Sequence, residues 1–144
     1  MKLESFPFQT IDWSSFTAEE HKGETGVAYW KVQMMNDIRV REVVYTPGYK
    51  ADHWCSKGHI IYCVEGSMST ELADGRIMDL SAGMCYFVGD NNEAHRTSTE
   101  KGCKLFIVDW TKSRLRKIIP LSLRFITTYA TIYYFISSTI NHIV

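Results

Sequence analysis

At 144 residues, with 45% hydrophobic and 22% charged side chains, the chain is long enough to bury a real core and too short for two domains of ordinary size. Its formal charge is zero, yet the first 109 residues carry all 16 acids and only 11 of the 16 bases. A net-acidic body lacks the clustered Lys and Arg that grip a phosphate backbone, so nucleic acid is not an expected partner.

Met1 to Thr10 contains Glu4 and Pro7 and no apolar run of the length a secretory signal needs, which predicts a cytoplasmic body. Ser14 to His21 reads as a short helical segment, with Ser15 or Thr17 as cap and Glu19 and Glu20 in its first turn. Strand patterning then takes over. The β-branched and aromatic runs are Val27 to Met34, Ile38 to Tyr45, His59 to Val64, Met68 to Leu72, Ile77 to Leu80, Met84 to Val88, His95 to Thr99 and Cys103 to Val108. Turn residues such as Asn36-Asp37, Pro47-Gly48, Glu65-Gly66, Asp74-Gly75 and Lys101-Gly102 separate them. Short strands at nearly even spacing predict an all-β body over residues 24–109, an antiparallel sandwich or barrel, behind an N-terminal extension over 1–23.

Residues 110–144 differ in kind, with five bases, no acid and an uncharged stretch from Phe125 to Val144. Twenty uncharged residues are enough to span a bilayer, but eight of these are polar and none is Leu, so membrane contact through the tail is disfavoured. Its residue types are those of A/T-rich codons, so the tail reads as a frame-shifted or translated non-coding end and not as part of the barrel.

Four cysteines, Cys55, Cys63, Cys85 and Cys103, lie 8, 22 and 18 residues apart, and none forms a C-x-x-C pair. A zinc ribbon is excluded, and a metal site here must mix residue types. Cys63, Cys85 and Cys103 each sit in an apolar run and read as small buried hydrophobes. Cys55 keeps different company. His53 and Cys55 are two residues apart and share a strand face, His59 opens the next strand after a Ser-Lys-Gly turn, and His95 lies further along the body. Imidazole and thiolate suit Zn, Fe, Ni or Cu and not Mg or Ca. Spacing alone leaves the alternative that these are hydrogen-bonded structural residues. His21 and His142 fall outside the group and read as surface residues.

The stretch from Pro47 to Gly66, containing Asp52-His53-Trp54-Cys55 and His59, resembles the first motif of the cupin superfamily. His53 falls on that motif's first His, Cys55 on its second His and His59 on its Glu, although Gly48 is one residue too close to His53. Gly83 to His95 resembles the second motif, with Gly89 in place of its Pro, Asn91 in place of its Gly and one extra residue before His95. Asn91 can still take the left-handed turn. Thr99 stands where the motif ends in Asn. The resemblance covers residues 45–108, and the run from Asp52 to Cys55 is similar to the signature of small single-domain bacterial cupins named for Asp, His, Cys and Trp.

The resemblance implies an antiparallel double-stranded β-helix, the cupin jelly-roll barrel, preceded by the short N-terminal helical segment. It implies a divalent metal on His53, Cys55, His59 and His95, and the softened donor set places zinc ahead of iron or nickel. If all four bind, zinc is closed and structural; if Cys55 points aside, three histidines leave open positions for substrate or water. Asp52 and Glu65 are candidate acceptors for an imidazole N–H, and Trp54, Tyr62 and Tyr86 are candidate lining of the barrel mouth. Arg96 alternates with His95 and should face outward to solvent or an ion pair. A homodimer is expected by the same analogy. Two functions stay open: a small metal-dependent enzyme, an oxygenase or isomerase acting on a small organic molecule inside the barrel, and a non-catalytic cupin that binds or senses a small ligand with a structural metal or none.

Overall fold

The computed structural model describes residues 5–111, and the tail, with His142, lies outside the described residues. Eight strands, β1 (Glu19–Lys22), β2 (Val27–Met35), β3 (Ile38–Tyr45), β4 (His59–Leu72), β5 (Ile77–Ser81), β6 (Cys85–Val88), β7 (His95–Ser98) and β8 (Cys103–Trp110), account for nearly all of the regular structure. Every pairing among them is antiparallel. One sheet runs β1-β2-β3-β8 into the first half of β4, with β6 on that strand's other side. The second half of β4 pairs with β5 and β7 in the facing sheet.

Strand β4 belongs to both sheets because it bends. The runs His59 to Val64 and Met68 to Leu72, separate in the sequence reading, join into one 14-residue strand whose register slips between Cys63 and Glu65. Gly66 makes the bend, with φ at 75° and an ideal Cβ that would stand 2.3 Å from the Gly102 carbonyl oxygen. Substituting Gly66 with Ala should therefore cost at least about 2 kcal/mol, from left-handed strain and from backbone that must move. Chemical denaturation reads this as a lower midpoint at unchanged slope.

Alternation builds the interior. On β8, Cys103, Leu105, Ile107 and Asp109 are buried while Phe106 between them is exposed, and on β4, His59, Ile61 and Cys63 point inward while Ile60, Tyr62 and Val64 point out. These inward residues join Ala28, Val43, Tyr49, Met68 and Leu80 in the core between the sheets. Thr111 donates its backbone N–H to Asp37 O at 3.0 Å, tying off the strand end.

The helical segment expected over Ser14 to His21 contracts to a single 3-10 turn, Trp13–Ser15. Its cap is Asp12, whose Oδ1 accepts the Ser14 N–H at 2.9 Å, and not Ser15 or Thr17. Residues 19–22 instead pair with β2, where the His21 ring stacks on Trp30 at 3.9 Å between centroids. Eight residues form a marginal helix on their own, and ring stacking with strand pairing outweighs that local preference. His21 is thus a packed residue rather than a free surface one.

Candidate metal centre

The two halves of the site arrive from different sheets. His59 opens β4 and faces the barrel interior, as does His95 at the start of β7. Cys55 lies on neither strand. It reaches the site because residues 50–55 run alongside β7, with bridges from Lys50 to Ser98 and from Cys55 to His95. The Cys55 N–H donates to His95 O at 2.8 Å and the His95 N–H returns to Cys55 O at 2.9 Å, so the thiol is set beside the ring by backbone alone. The turn ahead of His95 needs a left-handed residue, and Asn91 supplies it with φ at 56°.

One ligand atom from each of Cys55, His59 and His95 lies within 4.8 Å of the other two. His95 Nδ1 donates to the Glu93 carbonyl at 2.8 Å, which orients the ring and turns Nε2 toward the cluster. That Nε2 stands 2.8 Å from His59 Nε2, with the Tyr86 hydroxyl 3.5 Å from the same His59 atom. Two imidazoles on one tetrahedral ion, each at about 2.0–2.1 Å, hold their nitrogens roughly 3.3 Å apart, so the rings need to part by about half an ångström. The donor set, two imidazoles and a thiol meeting at the cavity wall, fits a divalent metal ion.

The protonation equilibria agree with that use. The hydrogen bond with His95, helped by that ring's charge, lowers the Cys55 thiol against the opposing effect of burial, and the same contact raises His95. The thiolate, the form that binds metal, is thereby easier to reach than in a free cysteine. His59 is driven the other way, down to about 4, first by burial and then by the charges of His95 and Arg41. It is a neutral imidazole over the whole physiological range, ready to ligate without losing a proton.

His53, expected as the first ligand, stands outside the cluster. Its side chain is 75% exposed and its Nδ1 sits 2.5 Å from Asp52 Oδ1. The spacing argument fails because residues 51–54 form a bend rather than a strand, so sharing a strand face with Cys55 has no meaning there. Asp52 does partner an imidazole, but this exposed one. Among the other candidates, Tyr86 lines the cavity, whereas Tyr62 and Glu65 lie on the outer side of β4 and Trp54 is exposed beneath the Arg96 guanidinium, 4.9 Å from the ring centre. Arg96, expected to face outward, is partly buried in the cavity lining and also donates to Glu71 at 2.9 Å. Cys63 and Cys103 are buried, but Cys85 is exposed on the outward face of β6.

Beside the cluster opens a cavity of about 280 Å³, whose lining also includes Trp30, Arg39, Arg41 and Asp109. The registers explain the placement: Arg39 on β3 and His59 on β4 both pair with Asp109 on β8, which sets the three in one row across the sheet. Arg39 grips Asp109 through both carboxylate oxygens, at 2.8 and 2.9 Å, and Arg41 Nη2 adds a third bond at 2.5 Å. None of these residues stood out in the sequence. The signal was present, since Arg39, Arg41, Val43 and Tyr45 alternate on β3 as Leu105, Ile107 and Asp109 do on β8.

No family model matches the chain, and no curated protein matches it either. Solved structures do. The polyketide cyclase RemF of Streptomyces resistomycificus superposes with a TM-score of 0.61 at 21% identity, covering 74% of this chain and 81% of its own. A predicted oxalate decarboxylase from Thermotoga maritima gives 0.61 at 16% identity, over 71% of this chain and 98% of its own. An RmlC-like cupin from Shewanella frigidimarina gives 0.58 at 16% identity, over 78% of this chain and 97% of its own. The fold is the cupin jelly roll. At these identities the likeness concerns the cupin fold alone, and chemistry has to be argued from the site. No helix among the described residues is long and apolar enough to cross a membrane.

Proposed function

We propose that this cupin binds one divalent metal ion through Cys55, His59 and His95 and uses it to act on a small organic molecule held in the barrel cavity. The observation that supports this most is the meeting of three ligand atoms within 4.8 Å on the wall of a cavity of about 280 Å³. Three protein ligands with space beside them is the arrangement of catalytic metal sites, whereas a closed four-ligand set is structural. Zinc remains the expected ion ahead of iron or nickel, because a thiolate replaces a histidine in the donor set. When bound, such an ion polarises an oxygen of its ligand or activates water.

The chain's own residues do the rest. His95 is held by the Glu93 carbonyl, Cys55 by its backbone bridge, and the Tyr86 hydroxyl reaches toward the metal side of the cavity from β6. The Tyr86 phenol, pushed up to about 12 by burial, stays protonated and can donate a hydrogen bond to a bound molecule. The run from Asp52 to Cys55 supports placement among the small bacterial cupins with the Asp, His, Cys, Trp signature, and a cytoplasmic setting keeps Cys55 reduced. Elemental analysis of the protein purified without added metal tests the reading. About one divalent ion per chain is expected, and protein that neither retains nor takes up an ion overturns it.

The outward face of β4 supports a second copy of this chain as partner. Ile60 pairs across to Phe87 and Tyr62 to Phe106, and all four side chains are exposed. Phe87→Lys should convert a dimer to a monomer in sedimentation, leaving the melting temperature of the barrel nearly unchanged.

A further inference from the structure

The cavity beside the metal ligands has an unbalanced charge. Four cationic side chains, Arg39, Arg41, Lys57 and Arg96, line the cavity against a single acid, Asp109. Arg96 is neutralised from outside by Glu71 and Glu24. Lys57 is exposed to solvent, which leaves two guanidiniums on one carboxylate, and Arg39 alone already occupies both of its oxygens. Arg41 is the surplus cation. It is 6% exposed, its plane rests on the Trp30 ring with 4.5 Å from Cζ to the centroid, and its Nε is buried without a hydrogen-bond partner.

An unpartnered N–H on a buried cation is costly unless something meets it. We infer that Arg41 is the docking point for the carboxylate of a small monocarboxylic acid, whose other end reaches toward Cys55, His59 and His95. The assignment rests on the reading of the barrel cavity as the ligand site. A planar guanidinium already fixed by Asp109 and Trp30 loses little freedom on pairing, and its donors match a carboxylate. Apolar surface from Tyr49, Ile61 and Ile107 in the same cavity suits the body of the acid. A cavity of about 280 Å³ lies at about the lower end of the range for small-molecule sites, which suits a small acid. Arg41 and the three metal ligands line the same cavity, so one small molecule can span from it to them.

Calorimetric titration with propionate, lactate and benzoate, each against its own amide, tests the assignment on the protein as purified and after chelator treatment. At least one acid should bind about tenfold or more tighter than its amide, and Arg41→Lys, which keeps the charge facing Asp109 but loses the fork, should lose about tenfold of that affinity. Arg41→Met should lose more, and a thermal melt of each variant shows whether it is folded. Acid and amide binding equally, no acid binding, or inorganic phosphate binding tenfold tighter than every acid would overturn the carboxylate assignment. So would acid binding that the chelator abolishes and Arg41→Lys leaves intact, because the acid then sits on the metal; in that case the metal reading stands and this one fails. If the purified protein holds no metal, the Arg41→Lys comparison still decides.

Discussion

Replacing His95 with Ala should reduce bound metal from about one equivalent to nearly none, and replacing Cys55 with Ser should weaken retention by at least about tenfold. The difference in size follows from what each side chain supplies. His95 brings the Nε2 that its bond to Glu93 turns toward the cluster, 2.8 Å from the second imidazole, so its loss removes the middle of the cluster. The Cys55→Ser variant would keep an oxygen in place of the thiolate, a poorer donor for zinc but not an empty position. His53→Ala should retain a full equivalent, because that ring, 75% exposed at the cavity lining and paired with Asp52, lies outside the cluster of three ligand atoms. Metal content by elemental analysis, normalised to folded protein, checks all three. Full loss in the His53 variant would mean that the loop over residues 51–54 closes onto the site when metal is present.

Asp109 should be the most damaging single change to stability. Its side chain is 1% exposed and is the only acid between Arg39 and Arg41 in the cavity wall. Asp109→Asn leaves two guanidiniums together without a counter-charge, at a cost of about 3 kcal/mol, the low end of the range because Arg39 is partly exposed. For a body of this size that lowers the melting temperature by on the order of 10 °C. The pH dependence carries a sign. Burial would raise the Asp109 carboxyl, but the Arg39 hydrogen bonds and the charges of Arg41 and Arg39 outweigh it and hold the group below its ordinary value. A depressed carboxyl stabilises the fold fully above the unfolded value near 3.9, and that contribution is lost as pH falls further and the folded carboxyl takes up its proton. Thermal melts between roughly pH 5 and pH 2 should therefore fall more steeply for the parent than for Asp109→Asn. Parallel curves would show that the carboxylate is not held by its two arginines.

How much of this could be read from the sequence depends on whether a residue sits on a regular strand. β8 alternates cleanly, and the bounds of β2 and β3 follow to within a residue or two from their β-branched and aromatic runs and the turn residues that flank them. The same logic placed His59 and His95 inward correctly, since both open strands. It failed for His53 and Tyr62 for different reasons. His53 is in a bend where alternation carries no information, and Tyr62 has the right chemistry on the wrong face of β4. The helix expected near Ser14 was lost to long-range pairing of Glu19–Lys22 with β2, which no local window contains. Arg39, Arg41 and Asp109 were overlooked because charged residues on strands are usually solvent-facing, although their alternation with Val43 and Leu105 marked them as inward.

X-ray absorption at the edge of the bound metal tests the central claim most directly, because it counts the atoms around the ion and needs no substrate. With zinc in the site, one sulfur at about 2.3 Å and two imidazole nitrogens at about 2.0–2.1 Å are predicted, completed by light atoms from water or ligand. The sulfur contribution should vanish in Cys55→Ser, and the imidazole contribution should be unchanged in His53→Ala. A shell with no sulfur, or one with three imidazoles that drops to two on replacing His53, would contradict a centre built from Cys55, His59 and His95.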